Sequence, residues 1–411
     1  MKLRFIFQTY LIPLSFIIFL AGCSSSRYLG KKETYVPSGS IPIRVLLSDK
    51  NTSLSYVVEK PVLLLNENKT IALVRKGNQL IFSADNDYLK LEIAGKIFSG
   101  KYFELKPQKE NEFIYYRRKR YRGFLKFVPN GNQVQAINKV SLEDYLKGVV
   151  PAEMPVGVGD SYFQALKAFA ICARTYTVMK LNENQSLFDV YLDTRDQVYG
   201  GADIEKDLSD KAIDDTRNLI LTYNDKPAKV FYHAACGGHT ENAKNVFGIK
   251  DAPYLDGVKD GDPPNCSIAP NFLWEEDYPE NVFIGRLRTG GLLQDKNYKL
   301  KNVEVESRFE SGRVSVLLIT LTSGDGETQT VKLNGNKIRT VIRTADNFGI
   351  LKSTMFNISL KDNGEVIITG KGNGHGVGLC QWGAIHQSIE GNNYKEILSF
   401  YFPGTAIKEL K

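Results

Sequence analysis

Between Ile41 and Asn138 the apolar residues come in short runs: Ile43 to Leu47, Pro61 to Leu65, Ile71 to Val74, Gln79 to Phe82 and Tyr88 to Ile93. The runs are broken by the turn pairs Asn68-Lys69, Gly77-Asn78 and Asp85-Asn86. Runs this short, bounded by Asn, Asp and Gly, are too brief for amphipathic helices and are read as strands joined by hairpins. At Ser141 the period changes. Ser141 is a predicted helix N-cap with Asp144 at the third helical position, and a second helix is expected from Ser161 to Met179, where Phe163, Leu166, Phe169, Ala170, Ala173 and Thr177 recur at helical spacing. Strands return beyond Leu219 and continue through Val303 to Ser307, Arg313 to Thr322 and Val366 to Gly370. Two closing helical stretches cover Gln381 to Ser388 and Tyr394 to Tyr401. No internal repeat is present. The fold class this pattern predicts is α+β, strand-rich, with a helical segment following the first set of strands.

The 411 residues leave room for two or three domains. A content of 42% hydrophobic and 24% charged residues, with 15 prolines against 35 glycines, excludes disordered, collagenous and coiled-coil classes. The first residues form an export leader. Met1 to Gln8 carries two cations, Tyr10 to Leu20 is almost wholly apolar, and Leu20-Ala21-Gly22-Cys23 closes the segment with small residues before a cysteine. Leu-Ala-Gly-Cys resembles the lipobox of bacterial lipoproteins, which implies lipidation of Cys23. An uncleaved anchor helix is the alternative, though the apolar run falls short of the roughly 20 residues a spanning helix needs. The expected organisation is a lipoprotein signal at 1–22, a tether at 23–40, a β-rich region at 41–138 and a core at 139–411. That places the protein outside the cytoplasm, in the cell envelope, held by acyl chains to a membrane. Without Lys2 and Arg4 the formal charge of +7 falls by two, too mild to indicate nucleic acid as a partner.

Three stretches differ from what strands and helices require. In Gly148-Val-Val-Pro-Ala-Glu-Met-Pro155, Glu153 lies between two prolines among apolar neighbours with no charge partner. A partly desolvated carboxyl there has a raised pKa and suits a general acid. An exposed loop glutamate is the plainer alternative. The second stretch, Phe231-Tyr-His-Ala-Ala-Cys-Gly-Gly-His-Thr-Glu241, places His233, Cys236 and His239 at His-x2-Cys-x2-His spacing, with Cys266 following in a Pro-Pro-Asn-Cys turn. Two Cys and two His are a set that tetrahedral zinc favours, and four protein ligands make a structural site without an open position. A Cys236–Cys266 disulfide and unrelated core residues are the competing readings. The third stretch, Gly372 to Ala384, sets His375 among Gly372, Gly374, Gly376 and Gly378, where backbone can approach a ligand closely. It lacks the ending of a phosphate loop and the downstream acid of a dinucleotide site. Gln381 and Trp382 would suit a sugar ring, although Trp382 fits a core position equally well.

The order of these motifs resembles the stage II sporulation protein D and amidase-enhancer family. The resemblance is carried by Leu142 to Pro155, Ala165-Leu-Lys-Ala168, Ala173-Arg-Thr-Tyr176, Asp196-Gln-Val-Tyr-Gly200, His233 to Thr240, Gly374-His-Gly-Val-Gly378 with Gln381-Trp-Gly-Ala384, and Tyr401-Phe-Pro-Gly-Thr405. It covers about residues 41 to 408 and takes in Val303 to Phe356, which is therefore expected to belong to the catalytic unit. Two departures stand out: Phe169 where a glutamine is usual, and Leu379-Cys380 in place of Met-Ser.

The resemblance implies action on peptidoglycan, as a lytic transglycosylase that cuts the MurNAc–GlcNAc bond of denuded glycan strands and leaves a 1,6-anhydro end. Glu153 occupies the position of the family's catalytic acid. Gln197, Tyr199, His375, Gln381 and Trp382 are the candidates for holding the glycan, and structural zinc in the His233 to Cys266 region is shared with some relatives. The alternative it implies is an enhancer of N-acetylmuramoyl-L-alanine amidase without cleavage of its own. In both cases glycan strands, an amidase and a membrane are the expected partners.

Overall fold

The computed structural model describes residues 40–157, 159–183 and 187–410. The signal, Cys23 and nearly all of the tether lie outside the described residues. Strands dominate, as the runs and turns require, and the fold is α+β.

The N-terminal strands form two large sheets and a separate hairpin, Ile114–Tyr116 with Lys119–Tyr121. A seven-stranded sheet runs in the order Val190–Tyr191, Pro42–Asn51, Gln133–Ser141, Phe124–Asn130, Phe103–Pro107, Val62–Asn66, Lys69–Val74, and a four-stranded sheet joins Ser53–Val57, Gln79–Asp85, Tyr88–Ile93 and Lys96–Gly100. The Val62–Asn66 and Lys69–Val74 pair turns through Glu67 and Asn68, both at positive φ (48° and 68°), the conformation that two-residue hairpins favour. The two sheets pack through their alternating apolar faces, with the rings of Phe82 and Phe127 stacked at 4.1 Å.

The strand ending at Ser141 leads directly into a helix, Leu142–Glu153. Ser141 caps it, its Oγ accepting from the Asp144 amide at 3.2 Å and donating to Asp144 Oδ2 at 2.8 Å. The next helix, Phe163–Glu183, is buried over most of its circumference, from Ala165 to Ala173 on all faces except Lys167. It forms the axis against which Leu142–Glu153, Gln381–Ile389, Tyr394–Tyr401 and the strand Leu219–Tyr223 pack. Arg174, fully buried on this axis, makes a bidentate pair with Glu143 (2.9 and 2.7 Å) and donates to the carbonyls of Leu219 and Ile213. No helix among the described residues is long and apolar enough to cross a membrane.

The division of the chain differs from the boundary expected at 138/139. One hydrophobic core runs from Ile43 through the helices to Phe402, so the β-rich region and the helical segment share an interior. The strands of 273–371 build a second core of their own. It is formed by the sheets of Leu273–Tyr278, Val366–Lys371 and Phe356–Leu360 and of Tyr298–Arg308, Val314–Ser323 and Thr328–Asn334, with the helices Glu280–Thr289 and Lys337–Ile342 against them. The reason is hydrophobic: Trp274, Phe283, Leu317, Ile319 and Ile368 bury against each other rather than against the first core.

Candidate active site and cysteine cluster

Glu153 is the last residue of the Leu142–Glu153 helix, half-buried, where the chain leaves helical geometry at Met154. Its Oε1 accepts the backbone N–H of Val198 at 2.6 Å. Its own carbonyl accepts the Gln381 side-chain amide at 3.0 Å, so the start of the Gln381–Ile389 helix fixes the end of the helix that carries the carboxyl. Burial raises the Glu153 pKa above its ordinary value, and the Val198 amide and the Tyr232 phenol pull it partly back. The apolar, uncharged setting read from Pro-Ala-Glu-Met-Pro is therefore present.

Two neighbours of Glu153 carry no signal of their own in the sequence. Tyr232 lies near both the carboxyl and Gln197, its buried hydroxyl hydrogen-bonded to neither. Burial holds the phenol protonated, and Phe169 packs edge-on against its ring at 4.8 Å. The Phe169 departure from the family pattern thus builds an apolar wall for Tyr232. The Val198 donor is backbone and has no side-chain signature at all.

The remaining glycan candidates divide. Gln381 reaches Glu153 through the bond just described; Trp382 beside it in sequence is half-buried against the core, its amide donating to Ala234 O at 3.0 Å. Gln197 is fully buried, its Oε1 accepting from Thr177 Oγ1 at 2.9 Å and from Tyr145 OH at 3.4 Å, which makes it the floor beneath Glu153 and Tyr232 rather than a surface. Tyr199 is a correction. Its ring packs against Tyr121, Tyr145 and the Cα of Gly148, and its hydroxyl donates to Asn138 at 2.9 Å, so it is a core residue with no face left for a sugar. His375 sits near Phe231, Phe247 and His233, with Nδ1 accepting the Val377 amide at 3.1 Å. Burial, Arg339 and Arg313 lower its pKa to about 3, so it is a neutral ring that shapes the turn.

The two-Cys, two-His set does not assemble. His239 is half-exposed, with Nδ1 2.6 Å from Thr240 O, and His233 donates from Nδ1 to Val377 O at 3.1 Å. The groups that converge are Cys236, Cys266, Cys380 and Asp260, all buried, with their ligand atoms within 4.8 Å of one another. The physical reason is strand pairing: Tyr232–His233 pairs in parallel with Leu379–Cys380, which brings Cys380 across from the other end of the chain. Its departure from the usual serine was the available signal. Cys236 and Cys266 are free thiols with sulfurs 3.5 Å apart, not a disulfide.

A family model described as Stage II sporulation protein matches residues 130–223, which include Glu153, Gln197 and the buried Arg174. A second, a Domain of unknown function (DUF8618), matches residues 264–378, close to the limits of the second core. An uncharacterized protein of Brachyspira hyodysenteriae is 33% identical over 372 residues, 89% of this chain and 92% of that protein. The amidase enhancer of Bacillus subtilis is 30% identical over 296 residues, and the chain spans 40% of that protein's length. Stage II sporulation protein D of Bacillus amyloliquefaciens is 28% identical over 292 residues, 67% of this chain and 76% of that protein. With the motif order, the matched domain and these relatives in agreement, the chain belongs to the stage II sporulation protein D and amidase-enhancer family.

Proposed function

We propose that the protein acts in the cell wall as a lytic transglycosylase on peptidoglycan glycan strands, with Glu153 as its single acid and base. The relatives named stage II sporulation protein D and amidase enhancer support the cell-wall role. The observation that carries the catalytic reading is the Glu153 carboxyl, half-buried at a helix end, with its pKa raised by desolvation and one oxygen fixed by Val198.

The chemistry needs no second carboxylate. Glu153 protonates the oxygen that joins the MurNAc anomeric carbon to the next sugar, and that C–O bond breaks. The MurNAc 6-hydroxyl oxygen attacks the anomeric carbon and forms the 1,6-anhydro bond, and its proton passes to the Glu153 carboxylate, restoring the acid. Attack from within the same sugar ring gains from proximity, and no water is consumed. Gln381 holds the carboxyl's backbone in place, and half-buried Trp382 is the candidate to stack on a sugar ring. Lipidation at Cys23 would keep the enzyme at a membrane surface beside its substrate.

A non-catalytic amidase enhancer is the second reading, favoured by the relative of that name. Incubation with amidase-treated strands separates the two. Anhydro-muramic ends formed by the wild type and not by Glu153→Gln, at unchanged melting temperature, are the expected result. Equal cleavage by both proteins would remove Glu153 from the mechanism. Absence of products from either, with faster stem-peptide release when an amidase is added to intact wall, would establish the enhancer.

A further inference from the structure

Three thiols and one carboxylate meet inside the first core, drawn from three distant parts of the chain. Cys236 comes from the loop after the strand Tyr232–His233, Asp260 and Cys266 from the loop ahead of the second core, and Cys380 from the residue preceding the Gln381–Ile389 helix. Three thiols cannot all be paired by one disulfide, so a disulfide would leave an unmatched buried cysteine beside it. Around a tetrahedral zinc with sulfurs at about 2.3 Å, two ligand sulfurs stand about 3.8 Å apart. Cys236 and Cys266 sulfurs are at 3.5 Å.

The surroundings are those of anionic ligands. The Cys236 amide donates to Cys380 Sγ at 3.2 Å and the Gly238 amide to Cys236 Sγ at 3.3 Å, so two of the sulfurs receive backbone N–H groups. Asp260 is oriented at both oxygens: Oδ2 accepts the Cys266 amide at 3.0 Å and Oδ1 accepts Tyr401 OH at 2.6 Å. Supports of this kind fix ligand direction in metal sites. Gly383 makes the Tyr401 contact possible, since a Cβ there would lie 2.0 Å from the Tyr401 oxygen and 2.7 Å from Asp260 Oδ1. Arg313, fully buried, donates from Nη2 to Cys236 O at 2.5 Å, while its Nε and Nη1 have no partner. A buried guanidinium with unpaired donors is costly unless negative charge lies near it. Three thiolates and a carboxylate around one divalent cation carry a net double negative charge, which Arg313 offsets in part.

We propose that Cys236, Cys266, Cys380 and Asp260 form a closed structural site for zinc, in place of the two-Cys, two-His set the spacing suggested. Such a site staples the loops of 234–240 and 260–268 to the segment that delivers Gln381 to Glu153.

The test is metal analysis of the full-length protein, purified without chelator, by inductively coupled plasma mass spectrometry, together with alkylation of the native protein read residue by residue. About one zinc per chain is expected, and removal of zinc should expose Cys236, Cys266 and Cys380 to alkylation together while Cys172, buried elsewhere in the core, stays protected. Cys380→Ser should weaken zinc binding at least tenfold, whereas His239→Gln should bind zinc as the wild type does. A metal-free protein with a Cys236–Cys266 disulfide peptide would overturn the site. So would zinc that survives Cys380→Ser and is lost in His239→Gln. If Cys380→Ser does not fold, the alkylation pattern of the wild type decides: Cys380 unmoved by zinc removal refutes its role.

Discussion

At Glu153 one carboxylate oxygen is already held by the Val198 amide, and the opposing influences of burial and hydrogen bonding leave the group with a raised pKa. A general acid works while protonated, so activity is full below the pKa of the folded protein and falls as pH rises through it. Because desolvation outweighs the Val198 hydrogen bond and the nearby Tyr232 phenol, the alkaline fall of kcat/KM should lie above the ordinary glutamate value of 4.5. The nearby Tyr232 phenol lowers the Glu153 pKa, so its removal in Tyr232→Phe should move that fall to still higher pH. A pH–rate profile unchanged by Tyr232→Phe would show that the phenol does not influence the carboxyl. Tyr199 belongs to a different argument. Its hydroxyl is the partner of fully buried Asn138, so Tyr199→Phe should cost about 1–3 kcal/mol in urea unfolding and leave strand binding untouched. The apolar setting of Glu153 was legible in the sequence because its causes are adjacent residues. The burial of Tyr199 was not, because Tyr121, Tyr145 and Asn138 come together only through the sheet and the helix it packs beneath.

Elements were legible where period and punctuation agree. The Tyr394–Tyr401 helix has the predicted ends because Asn393 and Glu396 close a capping box. The Leu142–Glu153 helix starts where Ser141 caps it. The meeting of Cys236 with Cys380 escaped the sequence reading for a reason of the same scale: spacing within one segment favours local partners, whereas the parallel pairing of Tyr232–His233 with Leu379–Cys380 joins residues 144 positions or more apart. Periodicity identifies the helix Phe163–Glu183 but shows neither that it is buried nearly all round nor that it carries a charge inside. Arg174 is that charge. It binds Glu143 and two carbonyls without access to water, so Arg174→Ala leaves a buried carboxylate uncompensated. The expected loss is about 3–5 kcal/mol by chemical denaturation. A loss below about 1 kcal/mol would mean that the pair does not join these two helices.

Among the described residues the two large hydrophobic cores are linked by buried polar bonds. Ser311 Oγ donates to Glu241 Oε2 at 2.5 Å, and Arg313 reaches Cys236 O at 2.5 Å; both bonds are buried. Gly376, at φ +87°, has no Cβ to strike the Arg313 guanidinium, which lies 2.6 Å from where one would stand. Polar joints of this kind hold orientation while giving up little apolar area, so each core should open as its own cooperative unit. Native-state hydrogen exchange tests this directly. Amides of Val314–Ser323 and Val366–Lys371 should report one opening free energy, and those of Gln133–Ser141 and Phe163–Glu183 another, higher one. Ser311→Ala leaves the buried Glu241 oxygen without its donor and should lower the first value by about 1–3 kcal/mol while leaving the second within error. If both groups of amides share one free energy and shift together in Ser311→Ala, the chain is a single cooperative unit. The second core would then be part of the same unit as the Glu153 helix, as the resemblance implied, and not a body docked against it.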